Sequence, residues 1–144
     1  MLKKTVKYED FDENTREETL YFHISKTELT DMELKTPGGL ANKLQNISSA
    51  SGAEIMDLFK EIILRAYGEK AETESGQVLF IKKKNGVALR DNFEQSLAFD
   101  ALFSELLTDP DKAAAFVNGV LPNDLVEKAR KEEAKLSSLP SEDK

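Results

Sequence analysis

The chain has 144 residues and a formal net charge of −7 at pH 7, an acidic excess that argues against binding to nucleic acid, whose phosphates require a basic surface. It contains no cysteine, which excludes disulfides, thiolate zinc sites and cysteine nucleophiles. The length fits one domain, and since neither an export signal nor an apolar run of about 18 residues occurs, we expect a soluble protein with no membrane segment.

Apolar and polar residues alternate in two stretches of residues 1–24. The first stretch includes Val6 and Tyr8, and the second includes Leu20 and Phe22. An acidic segment that is rich in turn residues separates the two stretches. Alternation is typical of strands with one buried face, so the pattern predicts a β-hairpin over residues 1–24.

Helical periodicity replaces the alternation from Ser25 onwards. Ser25 and Glu28 have the spacing of a capping box, which predicts a short helix that ends before Pro37. A second helix is predicted from Leu40 to about Ile47. These two helices open the helical part of the domain.

A third helix is predicted to form the hydrophobic centre. Ser51 and Glu54 form its capping box, and Gly68 is expected to cap its carboxyl end. Leu64 falls on the solvated side of this helix. Its apolar arc contains Ile55, Met56, Leu58, Phe59, Ile62, Ile63, Ala66 and Tyr67.

A small second hairpin is predicted near residues 78–89. Asn85 and Gly86 lie between two apolar β-prone runs, which is a strong signal for a tight hairpin turn. The acidic segment before this hairpin is expected to be a flexible loop. The lysines at 82–84 are interpreted as a solvated strand end, since the chain is acidic overall.

Residues 93–107 have apolar side chains on two faces of a predicted helix. One face has the spacing of a core-facing helix and consists of Phe99, Leu102, Phe103, Leu106 and Leu107. The second stripe consists of Phe93, Leu97 and Ala101. Two interpretations stay open: the helix is covered on both sides within the domain, or the second stripe contacts another subunit or a client protein.

A last helix is predicted to begin at Asp109, its N-cap, with Pro110 in the first turn. Its apolar residues include Phe116 and Val120, and Leu121 follows. The prediction is therefore an α+β, mostly α-helical fold in a single globular domain over residues 1–122. In it the hairpin of residues 1–24 packs on a bundle of about five helices within residues 25–122, and residues 123–144 form a charged, frayed helix or a disordered tail.

The sequence offers no catalytic, metal-binding or cofactor-binding arrangement. His23 is the single histidine and falls on the outward side of a predicted strand. Sequence motifs of nucleophilic hydrolases, zinc proteases and nucleotide-binding loops are missing. Carboxylates are too numerous to indicate a site, so a carboxylate-only hydrolase stays open. We expect a protein that is not an enzyme and takes no cofactor.

Three segments in this order resemble the tail assembly chaperones of long-tailed phages and prophages of Gram-positive bacteria. They are YFHISKTELTDMELKT, FKEIILRAYGEK and FEQSLAFDALFSELLTDPDKAAAFVNGVLP, and the resemblance covers roughly residues 3–125. The markers are an SKxEL strand end, an aliphatic helix ending in YGEK, and AAAFVNG before a proline. The chain departs from the family after YGEK, where a shorter SxDGxxFIK link is expected.

The resemblance implies a non-enzymatic role in the host cytoplasm. Such chaperones bind the tape measure protein, keep it soluble, help to recruit tail tube protein, and are absent from the mature virion. Self-association and a longer frameshifted form of the same gene product are also implied, with this chain as the shorter form. On this interpretation the candidate client or self-association contacts are Phe93, Leu97, Ala101, Phe116, Val120 and Leu121. For each of these residues taken singly, burial in the core stays an equal alternative.

Two other functions stay open at this stage. One is a small tail-completion or connector protein that remains in the virion. The other is an acidic inhibitory binding protein that mimics nucleic acid. The acidic residues are scattered among lysines and arginines, which does not favour a continuous carboxylate face.

Overall fold

The computed structural model describes residues 1–45 and 52–121. The strands are β1 Leu2–Glu9, β2 Thr15–Phe22, β3 Tyr67–Glu72, β4 Val78–Ile81, β5 Lys83–Lys84 and β6 Val87–Ala88. The first four form an antiparallel sheet in the order β1-β2-β3-β4, and β5 and β6 pair in a separate two-stranded ribbon. The helices are α1 Lys26–Lys35, α2 Leu40–Gln45, α3 Gly52–Ala66, α4 Leu89–Glu94, α5 Leu97–Thr108 and α6 Pro110–Val120.

The predicted N-terminal hairpin is confirmed. β1 and β2 pair over their whole lengths, from Leu2 opposite Phe22 to Glu9 opposite Thr15. The alternation places Val6, Leu20 and Phe22 in the core, as expected for a sheet with one buried face. At the tip, the carboxylate of Asp10 accepts hydrogen bonds from the amides of residues 12 and 14, which fixes the turn.

The capping box of α1 is also confirmed. Ser25 Oγ accepts from the Glu28 amide at 3.1 Å, and Glu28 Oε1 accepts from the Ser25 amide at 3.0 Å. The helix ends at Lys35, and Leu40 begins α2. The predicted end of α2 near Ile47 and the predicted Ser51 cap of α3 lie outside the described residues.

Gly68 does not cap a helix, which corrects the prediction. The chain passes directly from α3 into β3, and Gly68 is buried within that strand. A Cβ atom at Gly68 would lie 2.5 Å from the Ile81 carbonyl oxygen and 2.5 Å from the Phe80 ring. Only glycine therefore allows β3 to approach β4 this closely.

The segment predicted as a flexible acidic loop is largely strand. Residues 69–72 pair with residues 78–81, so the connecting loop shrinks to residues 73–77. The predicted tight turn at Asn85 is confirmed, since β5 pairs with β6. Residues 78–81, which were predicted to belong to the same hairpin, pair with β3 instead. The sequence pattern did not reveal β3, because its acidic side chains lie at or near the surface. The polarity of such surface residues says little about whether their backbone pairs with another strand.

The helix predicted over residues 93–107 is two helices, which is a second correction. The chain leaves the helical path at Gln95 and Ser96. Ser96 Oγ donates to the Phe93 carbonyl at 2.6 Å and accepts from the Phe99 amide at 3.3 Å, so one side chain closes α4 and opens α5. Serine competes with the helix backbone in this way because its hydroxyl lies close to it.

The remaining helix boundary follows the prediction. Asp109 Oδ1 accepts from the amides of Asp111 and Lys112 at 3.1 and 3.2 Å, and Pro110 is the first helical residue of α6. The predicted tail of residues 123–144 lies outside the described residues. No described helix combines the length and apolar character that crossing a membrane requires.

An aromatic cluster joins the sheet to the helices. The fully buried Phe22 ring contacts Tyr67, Phe93 and Phe116 edge-on, with centroids 5.8, 6.0 and 5.0 Å away. Tyr67 and Phe93 stack at 4.0 Å. These contacts link β2, β3, α4 and α6 in one core, and the predicted α+β fold with an N-terminal hairpin against helices is confirmed.

Candidate protein-binding surfaces

The described residues show no cluster of side chains suited to holding a metal ion. Within residues 1–45 and 52–121, no three histidine, aspartate or glutamate side chains are grouped to hold a metal ion. His23 lies just beyond β2, half-buried, with its ring edge-on to Phe80 at 5.8 Å. Burial lowers the pKa of His23, and the positive charges of the N-terminus and Lys82 lower it further.

Lys82 has a structural role that the sequence did not reveal. Its ammonium donates to the carbonyls of His23 and Arg65 at 2.8 and 2.6 Å and to Glu28 Oε2 at 2.6 Å. Lys82 directly follows β4, so these hydrogen bonds connect the end of β4 to α1, to α3 and to the residue after β2. Lys83 and Lys84 are exposed, so the prediction of a solvated strand end holds for them and is wrong for Lys82.

Three of the six predicted contact residues lie in the core. Phe93, Phe116 and Val120 are 4%, 3% and 1% exposed. In the isolated chain these side chains stabilise the fold, because each packs within the same cluster of buried residues. Their role in binding a partner stays a prediction, which would require the chain to open locally.

The other three predicted contact residues are half-buried. Leu97 and Ala101 lie one turn apart on α5, and Leu121 follows α6 and packs against the core. Because α4 ends before Ser96, the stripe of Phe93, Leu97 and Ala101 is not continuous on one helix. Leu97 and Ala101 remain accessible in part, so their contact with a partner stays a prediction.

A second apolar flank of α5 was assigned to the core by the sequence and is more exposed than expected. Phe99 and Phe103 are only partly buried, their ring centroids are 5.4 Å apart, and Leu107 is 41% exposed. These residues recur at every fourth position, so they form one stripe on the helix surface. We call Phe99, Phe103 and Leu107 the α5 stripe.

Two residues of α3 also differ from the prediction. Met56 was predicted to be buried and is 50% exposed, whereas Leu64 was predicted to face solvent and packs against the core.

A polar cleft opens where β2 and β3 separate. β3 pairs with β2 only at Tyr21–Gly68 and Phe22–Tyr67, and beyond that point it pairs only with β4. We call the gap between residues 15–20 of β2 and residues 69–72 of β3 the fork. The cleft at the fork has a volume of about 570 Å³ and is lined by Glu18, Thr19, Leu20, Tyr21, Tyr67, Gly68, Glu69 and Lys70.

The hairpin beside the fork carries concentrated negative charge. Residues 9–18 contain six acidic residues and one arginine, which gives a net charge of −5. Arg16 is bound in this segment by Asp10, with Nε and Oδ2 2.7 Å apart, and Phe11 at the tip is 77% exposed.

A second cleft, of about 290 Å³, lies near Lys82. Its lining is largely basic, since Arg65, Lys83 and Arg90 also line it.

Comparison with known proteins gives one finding. A family model described as phage tail assembly chaperone matches residues 1–144. No curated protein and no solved structure matched the chain. The matched range includes the N-terminal hairpin, the fork and the α5 stripe.

Proposed function

Because the chain belongs to the phage tail assembly chaperone family, we propose that it binds the tape measure protein of its virus and keeps it soluble until the tail tube forms around it. The observation that carries this proposal is the family match over the whole chain. The described residues contain no group of side chains that could hold a metal ion, which is compatible with a binding role.

The exposed apolar side chains support a role in binding other proteins. The α5 stripe and, on the other flank of the same helix, the half-buried Leu97 and Ala101 give two apolar patches that helical segments of a client can pack against. Weak contacts of this kind, repeated by many copies along one client, produce tight binding through avidity. The same reasoning extends the proposal to self-association on the client.

The remaining parts of the proposal concern the other partners and the place of action. The chaperone acts in the host cytoplasm, helps to recruit tail tube protein, and leaves before the virion is complete. A longer frameshifted form of the same product supplies the recruiting part. Mass spectrometry of purified virions tests the departure: the chain should be missing there, and stoichiometric amounts would instead identify a structural component.

Co-expression with the tape measure protein tests the central step. The soluble fraction of the tape measure protein should rise severalfold when this chain is present, and an affinity tag on either protein should retain the other. An unchanged soluble fraction, with this chain itself folded by circular dichroism, would contradict the proposal.

Substitution of Leu97 tests whether α5 contacts the client. Leu97→Asp places a charge on a half-buried position, so the variant should fold with moderate destabilisation and hold the tape measure protein more weakly. Leu34→Asp is the matched control, because Leu34 is 82% exposed on α1. Equal retention of the client by both variants would remove Leu97 from the contact surface.

A further inference from the structure

Among the strands of residues 1–45 and 52–121, none pairs with the part of β2 that faces the fork. β2 has eight residues, and six of them, Thr15–Leu20, lie beyond its pairing with β3. At about 3.4 Å per residue this free edge is roughly 20 Å long. Among the described strands, only β1 and β3 pair with β2, so no described strand covers this part of its edge.

Backbone hydrogen bonds identify which residues of β2 face the fork. The His23 amide donates to the Ala66 carbonyl, next to β3, whereas the Ile24 amide donates to the Val120 carbonyl on the opposite side. Successive amides of an extended strand point to opposite edges, so the odd-numbered residues of β2 face β3. The residues that present both an amide and a carbonyl to the fork are Thr15, Glu17 and Thr19.

Unpaired backbone groups in a row are a template for another strand. We propose that an extended segment of the tape measure protein, carrying lysine or arginine side chains, binds in the fork by adding a strand to the free edge of β2. This inference rests on the proposed function and assigns the client a second contact besides α5. The cleft of about 570 Å³ provides space for the segment.

The negative charge around the cleft is the reason for proposing a basic client segment. Glu18 and Glu69 line the cleft with a single lysine, Lys70, and the adjoining residues 9–18 have a net charge of −5. An acidic rim attracts a basic segment and disfavours an acidic one. The other free edge of the sheet, on β1, has a different charge, because the outward-facing backbone positions of β1 include Lys3 and Lys7.

The chain offers a matched pair of substitutions that separate the two edges. Thr5 and Thr19 lie opposite each other with their hydroxyl oxygens 3.1 Å apart, and in this register the Thr5 amide faces the outer edge of β1. Proline at either position removes one outward amide and the same hydroxyl contact, without removing an amide that bonds β1 to β2. Thr19→Pro blocks the fork, and Thr5→Pro blocks the other edge.

The experiment measures binding of the full chain to purified tape measure protein. Thr19→Pro should weaken binding about tenfold, as expected for a lost hydrogen bond and a steric block, whereas Thr5→Pro should bind like the original chain. Binding by both variants as tight as that of the original chain, or a loss with Thr5→Pro alone, would overturn the inference. If the original chain does not bind at all, the proposed function fails as well, so the two failures are distinguishable.

Amide hydrogen exchange decides the matter if both proline variants bind weakly or fold poorly. In the original chain, binding should slow exchange of the Glu17 and Thr19 amides and leave the Lys3 and Thr5 amides unchanged. Slowing on β1 alone, or on neither strand, would overturn the inference. Affinity should also fall as sodium chloride rises from about 0.1 M to about 1 M; a salt-independent affinity would contradict the basic character of the segment.

Discussion

At the scale of single residues, Lys82 shows how a charged side chain holds three elements together. Its pKa is lowered by burial, although the adjacent Glu28 carboxylate opposes this effect. Its ammonium donates to the Arg65 carbonyl near the end of α3 and to the His23 carbonyl just after β2. A position that the charge pattern assigned to the surface is therefore part of the framework of the domain.

We expect Lys82→Met to lower the free energy of unfolding by about 2 to 4 kcal/mol, because Glu28 and two carbonyls lose a charged donor. Chemical denaturation monitored by circular dichroism measures this loss. Lys83→Met is the control and should change stability by less than about 0.5 kcal/mol, since Lys83 is exposed. Equal stability of both variants would show that the Lys82 contacts contribute little.

His23 gives the fold a defined pH dependence. Its pKa is lowered in the folded chain, first by burial, so the unfolded chain binds a proton at a higher pH than the folded chain does. Stability should therefore fall as pH drops through the ordinary histidine pKa of about 6.5 towards the lower folded value, and should be unaffected by His23 above that window.

Denaturation curves between about pH 5 and pH 8 test this expectation, because His23 is the single histidine of the chain. His23→Gln should flatten the dependence in this range. An unchanged dependence in the variant would assign the titration to another group.

At the scale of secondary-structure elements, the contact between β3 and β4 depends on Gly68. We expect Gly68→Ala to cost about 1 to 3 kcal/mol, because the added Cβ atom would meet the Ile81 carbonyl and the Phe80 ring, both within 2.5 Å of its ideal position. Gly52→Ala is the control: nothing lies within 4 Å of a Cβ atom there, and alanine favours the first turn of α3. Thermal unfolding that shows equal stability in both variants would contradict this account.

Elements defined by local signals were predicted well from the sequence. The capping box at Ser25, the Asp109 cap and the Asn85 turn depend on residues a few positions apart, and all three are confirmed. The break at Ser96 was missed because hydrophobic periodicity continues across it. β3 was missed because its pairing with β2 and β4 is decided by tertiary packing rather than by its own polar sequence.

At the scale of the whole molecule, much of the core could be predicted from the sequence, whereas the exposed flank of α5 and the fork could not. Apolar periodicity identified the alternating face of the hairpin and much of α3. It could not show that three of the six predicted contact residues would be buried by other elements. The fork was also inaccessible to sequence reasoning, since it exists only because β3 separates from β2 after two paired positions.

The charge distribution of the molecule fits a protein that meets its partners at several surfaces. Negative charge is concentrated on the hairpin at residues 9–18, basic residues line the cleft near Lys82, and apolar residues recur along α5. The proposed function assigns these surfaces to contacts with a client and with neighbouring copies.

The most direct test of the central claim is the molar mass, by light scattering, of the complex purified after co-expression with the tape measure protein. We predict a soluble complex that contains several copies of this chain for each tape measure molecule, since weak contacts repeated along the client supply the affinity. A complex with one copy of each protein, or no complex between two folded proteins, would contradict the account of this chain as a chaperone that coats its client.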